Sequence, residues 1–466
     1  MKKTFKTLAI ILVFILSLSF FGCGPITVKG GPAKTDAVTS NGGLSVIKGD
    51  YLYFVNGYIS HDDLKGNQNK YGNVTNGGIY RAKLENGKLM YDISEDKDGN
   101  EVKTLKNVEL LVPKLAGFEY TSLYIFGDYI YFATPNTEKD QSSGETRFDL
   151  TDFYCVKLNG GSIYRLRNAA NISSLSNFKF TAIGNFVYLT YLSDGTIYNV
   201  KIAGKDVKNT TKIAENVRSF AMYSEETSYT ENLSEYAKFV YYTRDFTDDE
   251  KSITGNVLAK ASLETNEETV LRRDNFNTYT VQVAKNSKIY YTKTNSDVTN
   301  AYLYAREIEN FVEATETQLT TVVYSSTVYI LDDIGDYPQG VVVSENNYLL
   351  QLVGIKDPTT DIIVLSEGSF TIAFVRGAYV YGKDADGNIV RINYQTKTTE
   401  ILVEADDNIQ TTHFDYNNGY LYYIVKYTND NGDSYYLNRV FATATEKEPE
   451  FVGVFDKNDL PKADEE

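Results

Sequence analysis

The sequence predicts an all-β chain, a single β-propeller of eight four-stranded antiparallel blades. Three observations predict it. A short aromatic–aliphatic phrase recurs eight times, hairpin dipeptides separate many of its copies, and almost no segment between 44 and 455 keeps a helical period. The exceptions are two short polar stretches, Glu225 to Tyr236 and Arg306 to Glu316.

The phrase opens as Gly49-Asp50-Tyr51-Leu52-Tyr53-Phe54 and returns as Gly127-Asp128-Tyr129-Ile130-Tyr131-Phe132. It continues as Gly184-Asn185-Phe186-Val187-Tyr188-Leu189 and Ala237-Lys238-Phe239-Val240-Tyr241-Tyr242, with shorter copies around Ile289, Leu349, Val380 and Leu421. The spacing averages about 53 residues, in the range of propellers, solenoids and arrays. A second phrase trails it: Gly78-Ile79-Tyr80-Arg81, Ser162-Ile163-Tyr164-Arg165, Thr196-Ile197-Tyr198-Asn199, Tyr302-Leu303-Tyr304-Ala305 and Asn388-Ile389-Val390-Arg391. Ser193-Asp194-Gly195, the run Asp384 to Asn388 and the run Asp430 to Asp433 supply Asp-Gly and Asn-Gly turns between β-rich segments. The strand phrases are apolar on both sides, as when both faces of a blade are covered, so Val240 is expected between blades. Stacking blades in a ring also removes long free edges.

Eight phrases predict eight blades. Seven would follow if the short step from Leu349 to Val380 marks a stunted one. The long step from Leu52 to Ile130 predicts a decorated first blade, with a polar insertion at 56–76 that holds His61, Asp62 and Asp63. A second insertion spans Pro135 to Leu150. Insertions in a repeat fold gather on one face, often the one that binds.

The paired phrases resemble the YWTD-like propellers of the low-density-lipoprotein-receptor group, many of them uncharacterised bacterial lipoproteins, over roughly 44–455. The chain has no Trp and no YWTD tetrapeptide. The resemblance implies the blades and no particular activity.

The N-terminus reads as an address. Lys2, Lys3 and Lys6 precede an apolar run from Leu8 to Phe21, short for a membrane span and suited to a signal peptide. The stretch Phe20-Phe21-Gly22-Cys23 resembles a bacterial lipoprotein lipobox. The expectation is a signal peptide at 1–22 and acylation of Cys23, palmitate included. A Gly-, Pro-, Thr- and Ser-rich spacer to residue 43, the propeller at 44–455 and an acidic tail at 456–466 complete the division. Two or more acyl chains hold stably where one is marginal. The net charge of −16, from 46 Lys and Arg against 62 Asp and Glu, argues against nucleic acid as partner and favours a lipid tether over adsorption to an anionic membrane.

Chemistry is sparse. Two Cys and two His argue against a disulfide scaffold, a cysteine zinc ribbon and most histidine-based metal enzymes. His61-Asp62-Asp63 reads as a solvated turn and His413 as a strand histidine. The runs Asp96 to Glu101 and Asp384 to Asn388 read as hairpin turns, since neither carries the ligand set of a calcium loop. Cys155, in a strand phrase, is expected to be a buried, inert thiol. No catalytic, metal-binding or cofactor-binding residue is assigned. The functional expectation is a lipid-anchored, extracytoplasmic binding or scaffolding lipoprotein on the bacterial cell membrane, offering a propeller face to a protein, peptide or glycan. The alternative is an extracytoplasmic enzyme acting on polysaccharide or peptidoglycan with carboxylates at the propeller channel.

Overall fold

The computed structural model describes residues 43–57, 77–95, 101–116, 123–136, 138–223, 234–248, 253–295, 298–312, 316–319, 329–331, 341–345, 349–353, 362–429 and 432–454. Among them, eight sheets follow one another along the chain, each of four antiparallel strands in sequence order. Sheet 1 comprises Ser45–Lys48, Tyr51–Val55, Ile79–Lys83 and Val108–Val112, and sheet 2 comprises Tyr124–Phe126, Tyr129–Pro135, Leu150–Lys157 and Tyr164–Arg165, with Ile172–Ser173 also pairing the third strand. Sheet 3 runs from Leu175–Ile183 to Asp206–Ala214, sheet 4 from Val217–Met222 to Glu268–Asp274, and sheet 5 from Asn277–Lys285 to Thr317–Gln318. Sheet 6 runs from Tyr329–Ile330 to Ile362–Glu367, sheet 7 from Thr371–Arg376 to Thr399–Val403, and sheet 8 from Ile409–Asn417 to Glu450–Val452. First strands touch between sheets 4 and 5, 6 and 7, 7 and 8, and 8 and 1, and a parallel bridge joins Tyr223 to Ala284. That arrangement, with first strands inside and fourth strands outside, is a β-propeller.

Seven of the eight anchor phrases lie on second strands. The copy at Leu349 is the exception: it occupies the third strand of sheet 6, Leu349–Val353, and the second strand is Val341–Glu345. The short step to Val380 therefore reflects a displaced phrase, and sheets 6 and 7 both keep four strands. The trailing phrase marks third strands at Ile79, Ile197, Leu303 and Ile389, but Tyr164–Arg165 is a fourth strand. The expected insertion at 56–76 lies outside the described residues from 58 on, and sheet 1 carries in addition a hairpin of Tyr91–Glu95 with Glu101–Leu105, set between third and fourth strands. Of the two polar stretches, one ends in a single 3-10 turn at Glu235–Lys238, and Arg306 and Glu307 belong to a strand.

Apolar clusters form between neighbouring sheets. Tyr131 and Phe153 of sheet 2 pack on Phe178 and Phe180 of sheet 3, with Phe153 edge-on to Phe178 at 4.9 Å. Such pairs contribute about 0.5–1.5 kcal/mol beyond their area. Val240 is fully buried with Tyr188 and Ile197 of the preceding sheet, as its place in the phrase predicts. Tyrosine suits these layers because its ring packs while its hydroxyl reaches a neighbour's backbone. The Tyr131 hydroxyl donates to the Gly204 carbonyl at 2.8 Å.

Cations complete the layers. Arg81, Arg391 and Arg439 sit at the same register on third strands, each opposite an acid of the fourth strand. Their guanidiniums lie 2.6 Å from Glu109, Glu400 and Glu450 and cover the rings of Tyr51, Tyr379 and Tyr420. In sheet 2 the residue at that register, opposite Tyr131, is Cys155. A second set reaches across sheets. On first strands, Lys48, Lys179, Lys285 and Arg376 donate to the carbonyls of Gly127, Tyr223, Ile330 and Tyr416 in the next sheet.

Sheets 1 and 8 meet without a strand shared between them among the described residues. The seam is held by side chains. Oδ2 of the fully buried Asp415 accepts from the Leu44 and Ser45 N–H groups at 3.0 Å and from the Ser45 hydroxyl at 3.1 Å. The Asn417 amide donates to the Ser45 carbonyl, and Asn56 both donates to and accepts from the Val454 backbone. Gly43 is required here, because a Cβ on it would stand 2.5 Å from Asp415 Oδ2. Leu44, Leu52 and Phe54 pack with Tyr422, Ile424 and Leu437 behind these bonds. Burial pushes the Asp415 carboxyl up to about 6.

Asp415→Ala is expected to lower stability by about 2–4 kcal/mol, since it leaves two buried N–H groups unpaired. Asp415→Asn should cost less, and Asp384→Ala, in a surface turn, little. Denaturant midpoints of the three variants check the order; equal shifts would show that the seam does not depend on this carboxylate.

Candidate ligand-binding surface

Four antiparallel strands give the propeller two unlike ends. At one, first strands join second and third join fourth, by tight turns in most of the described connections and through the extra hairpin in sheet 1. At the other lie the connections from second to third strands and from each sheet to the next. The insertion between Pro135 and Leu150 stands at this second end, as do Gly43, where the first strand begins, and Val454, where the last one finishes.

The insertion is built on a buried polar network. Asp152, 2% exposed, accepts from Arg165 at 2.8 Å, from the Asn171 N–H at 2.8 Å and from the Asn136 amide at 3.2 Å. Asn136 also donates to the Asn171 side chain, and its own Oδ1 accepts from the Glu138 N–H. Arg165 reaches Glu138 as well, at 2.8 Å. Above this base, Asp140 accepts from the Ser142 hydroxyl and from the N–H groups of Ser142 and Ser143, which closes the turn. Those bonds, led by the Ser142 hydroxyl, hold its carboxyl well below the usual range. Arg147 clamps Asp149 and Asp140. Beside the base, the half-buried Lys114 ammonium stands 4.8 Å over the Tyr154 ring. Burial lowers the Lys114 pKa, and burial, then Asp152, pushes the Tyr154 hydroxyl up to about 12.

A second feature of this end is Phe276, 85% exposed in the connection from sheet 4 to sheet 5. Asp274 fixes its backbone by accepting from the N–H groups of Phe276 and Asn277, from the Asn277 amide and from the Tyr279 hydroxyl. Burial opposes the Asp274 charge, but these donors outweigh it and hold the carboxyl down at about 2. Between the outer edge of sheet 7 and the face of sheet 8 runs a groove of about 910 Å³, lined by Ile401, Val403, Asn408, Tyr423, Tyr427 and Asn438 among others.

The residues singled out in the sequence are scattered. His61, Asp62, Asp63, Cys23 and residues 96–100 lie outside the described residues. His413 falls where the first strand of sheet 8 slips register, between Gln410 and Phe414. Asp384 accepts from the N–H groups of Asp386 and Asn388, so that run is a hairpin turn as expected. Cys155 is buried and burial pushes its thiol up to about 12, which removes thiolate reactivity. The Asp152 network and the Asp274 turn were not foreseen. Their only trace in the sequence is an acid just before or after a strand phrase.

Among the described residues no group of three or more His, Cys, Asp or Glu could hold a metal ion, and no helix is long and apolar enough to cross a membrane. No protein-family model and no curated protein matches the chain. Solved structures similar to it include oligogalacturonate lyase from Vibrio parahaemolyticus (12% identity, TM-score 0.41, covering 75% of this chain and 96% of that one). AztD from Citrobacter koseri (10%, 0.41, 86% and 95%) and BamB from Moraxella catarrhalis (13%, 0.39, 78% and 93%) are at the same level. At these values the likenesses carry no argument about function.

Asp274 binds its proton less readily folded than unfolded. Its contribution is therefore present above pH ~4 and lost as pH falls from about 4 towards 2. Asp274→Asn is expected to lower stability at pH 7 and to flatten the acid limb in that window. Melting temperature against pH, variant against wild type, reads both.

Proposed function

We propose that this protein is a membrane-tethered, extracytoplasmic binding or scaffolding lipoprotein. It would close as an eight-bladed ring and present its loop-bearing end to a protein, peptide or glycan. The observation that carries this reading is the state of the buried acids. Asp152, Asp274 and Asp415, the three buried acids among the described residues, are each saturated by donors of the fold itself. Asp415 alone has a raised pKa suited to a general acid, and it is fully enclosed. A catalytic carboxylate needs access to substrate. Asp152 and Asp274 instead stiffen loops, and a stiff loop binds without a further ordering cost.

The tether rests on the lipobox-like Phe20 to Cys23 and the basic, apolar leader before it. With it, the anionic body would stay off an anionic bilayer yet remain attached.

Cys23→Ala is expected to move the protein from the membrane fraction to the medium; unchanged retention would overturn the tether. For the binding half, purified protein should retain a ligand from a glycan array or from surface extracts. Asp152→Ala, which frees the 138–149 loop, should weaken that retention at least tenfold. Clean negatives with the wild type on both would remove the binding reading.

A further inference from the structure

Each sheet is entered and left at the same end. Its first strand descends from the loop-bearing end and its fourth returns there. Sheet 1 begins at this end with Gly43, which bridges Leu123 at the start of sheet 2. Sheet 8 finishes there too, with Val454 bonded to Asn56 at the corresponding end of the second strand of sheet 1. The segment that leads back to Cys23 therefore joins the propeller at the end that carries the ordered 138–149 loop, the exposed Phe276 and the turn at 404–408. The opposite end carries tight turns such as Tyr394 to Lys397 and Leu263 to Asn266, and the extra hairpin of sheet 1.

We infer that the loop-bearing end faces the bilayer, so that the ligand it engages is one displayed at the membrane surface. The inference rests on the lipid tether proposed above. About twenty residues separate Cys23 from Gly43, and a chain of that length reaches at most roughly 70 Å. Strands of five to ten residues make the body itself roughly 20–30 Å deep. With the loop-bearing end towards the lipid, the attachment point lies on the near side of the body. Reversing the body would use part of that reach to carry the chain around its rim. A large soluble ligand has little room on the near side, whereas a membrane-borne one meets the loops directly. The acidic insertion, with Glu138, Asp140, Glu145 and Asp149 against Lys139 and Arg147, keeps this end from lying flat on anionic lipid. It leaves a gap for the ligand.

The test is energy transfer from single dye-labelled cysteines to an acceptor on lipid headgroups, in the lipidated full chain on vesicles. Gln141→Cys and Asp407→Cys place dyes at the loop-bearing end, Gln395→Cys and Glu264→Cys at the opposite end; all four positions are exposed. Asp407 and Gln395 lie at opposite ends of the sheet 7 side, so a tilt of the ring shifts both together and their order reports the end that faces the lipid. Cys155 is buried and Cys23 is consumed by lipid, so neither competes for dye. Transfer is expected to be greater from Gln141→Cys and Asp407→Cys than from both of the others. Equal transfer, or the reverse order, would overturn the inference. Flotation with the vesicles is scored first. A protein that floats but shows the reverse order leaves the tether standing and removes the orientation; one that does not float removes the tether and the orientation with it.

Discussion

The ring depends on one contact that no described strand provides. Each described sheet is completed by its own four strands, so among the described residues nothing covalent or ladder-like carries sheet 8 into sheet 1. The load falls on Asp415, which gathers the first two backbone N–H groups of sheet 1, and on the Asn417 and Asn56 amides on either side of it. Burying a carboxylate is costly, and the raised pKa of Asp415 reflects that cost. The return is directional: a carboxylate with two N–H groups and a hydroxyl on one oxygen accepts only one register of the two strands, which apolar packing alone would not select. The Tyr91 hydroxyl, donating to the Phe451 carbonyl from the extra hairpin of sheet 1, braces the same seam from outside.

Four of the other seven seams share a different solution. A cation on one first strand, its last residue except in the case of Lys179, reaches the backbone of the next sheet, from sheet 1 to 2, 3 to 4, 5 to 6 and 7 to 8. Within sheets, arginine on the third strand joins an acid and an aromatic ring. Arg439 is the extreme case, fully buried beneath Tyr420 and paired with Glu450. Removing Glu450 would leave the buried Arg439 guanidinium without its acid, the costly half of breaking such a pair. These groups therefore look less like sources of stability than like keys that fix which ring meets which blade. Aromatic rings alone do not select their neighbours, and such directional contacts help keep the repeats in register.

Much of the fold was legible because it rests on local chemistry. Two-residue turns and apolar runs on both faces of a strand are short-range signals, and seven of the eight phrases fell on second strands. Leu349 misled because its neighbours Tyr348 and Leu350 copy the aromatic–aliphatic pattern one strand late, and periodicity cannot tell a second strand from a third. The cations before the turn, Lys48, Lys285 and Arg376, were visible one residue ahead of Gly49, Asn286 and Gly377, but their meaning lies in the next sheet. Asp415 was beyond reach. Its partners are about 370 residues away, and nothing nearby distinguishes it from a surface acid. The site was less legible than the fold for the same reason. The insertion at Pro135 to Leu150 could be seen as an interruption of the repeat, whereas the network that stiffens it draws Asn136, Asp152, Arg165 and Asn171 from three separate segments.

The unlike ends follow from parity. With an even number of antiparallel strands, a blade must finish where it began, so every sheet-to-sheet connection falls at one end, together with the second-to-third loops. The chain's own attachment points then fall there too, because the first strand starts, and the last one stops, where connections are made. Only a strand borrowed across the seam would have freed one terminus to the other end, and here none is borrowed among the described residues. The closure at Asp415 and the placement of the loops beside the segment leading to Cys23 are thus two consequences of one arrangement. Completing each blade with its own strands puts the sheet-to-sheet connections and the attachment point on the same side, and leaves the seam to be held by a buried carboxylate.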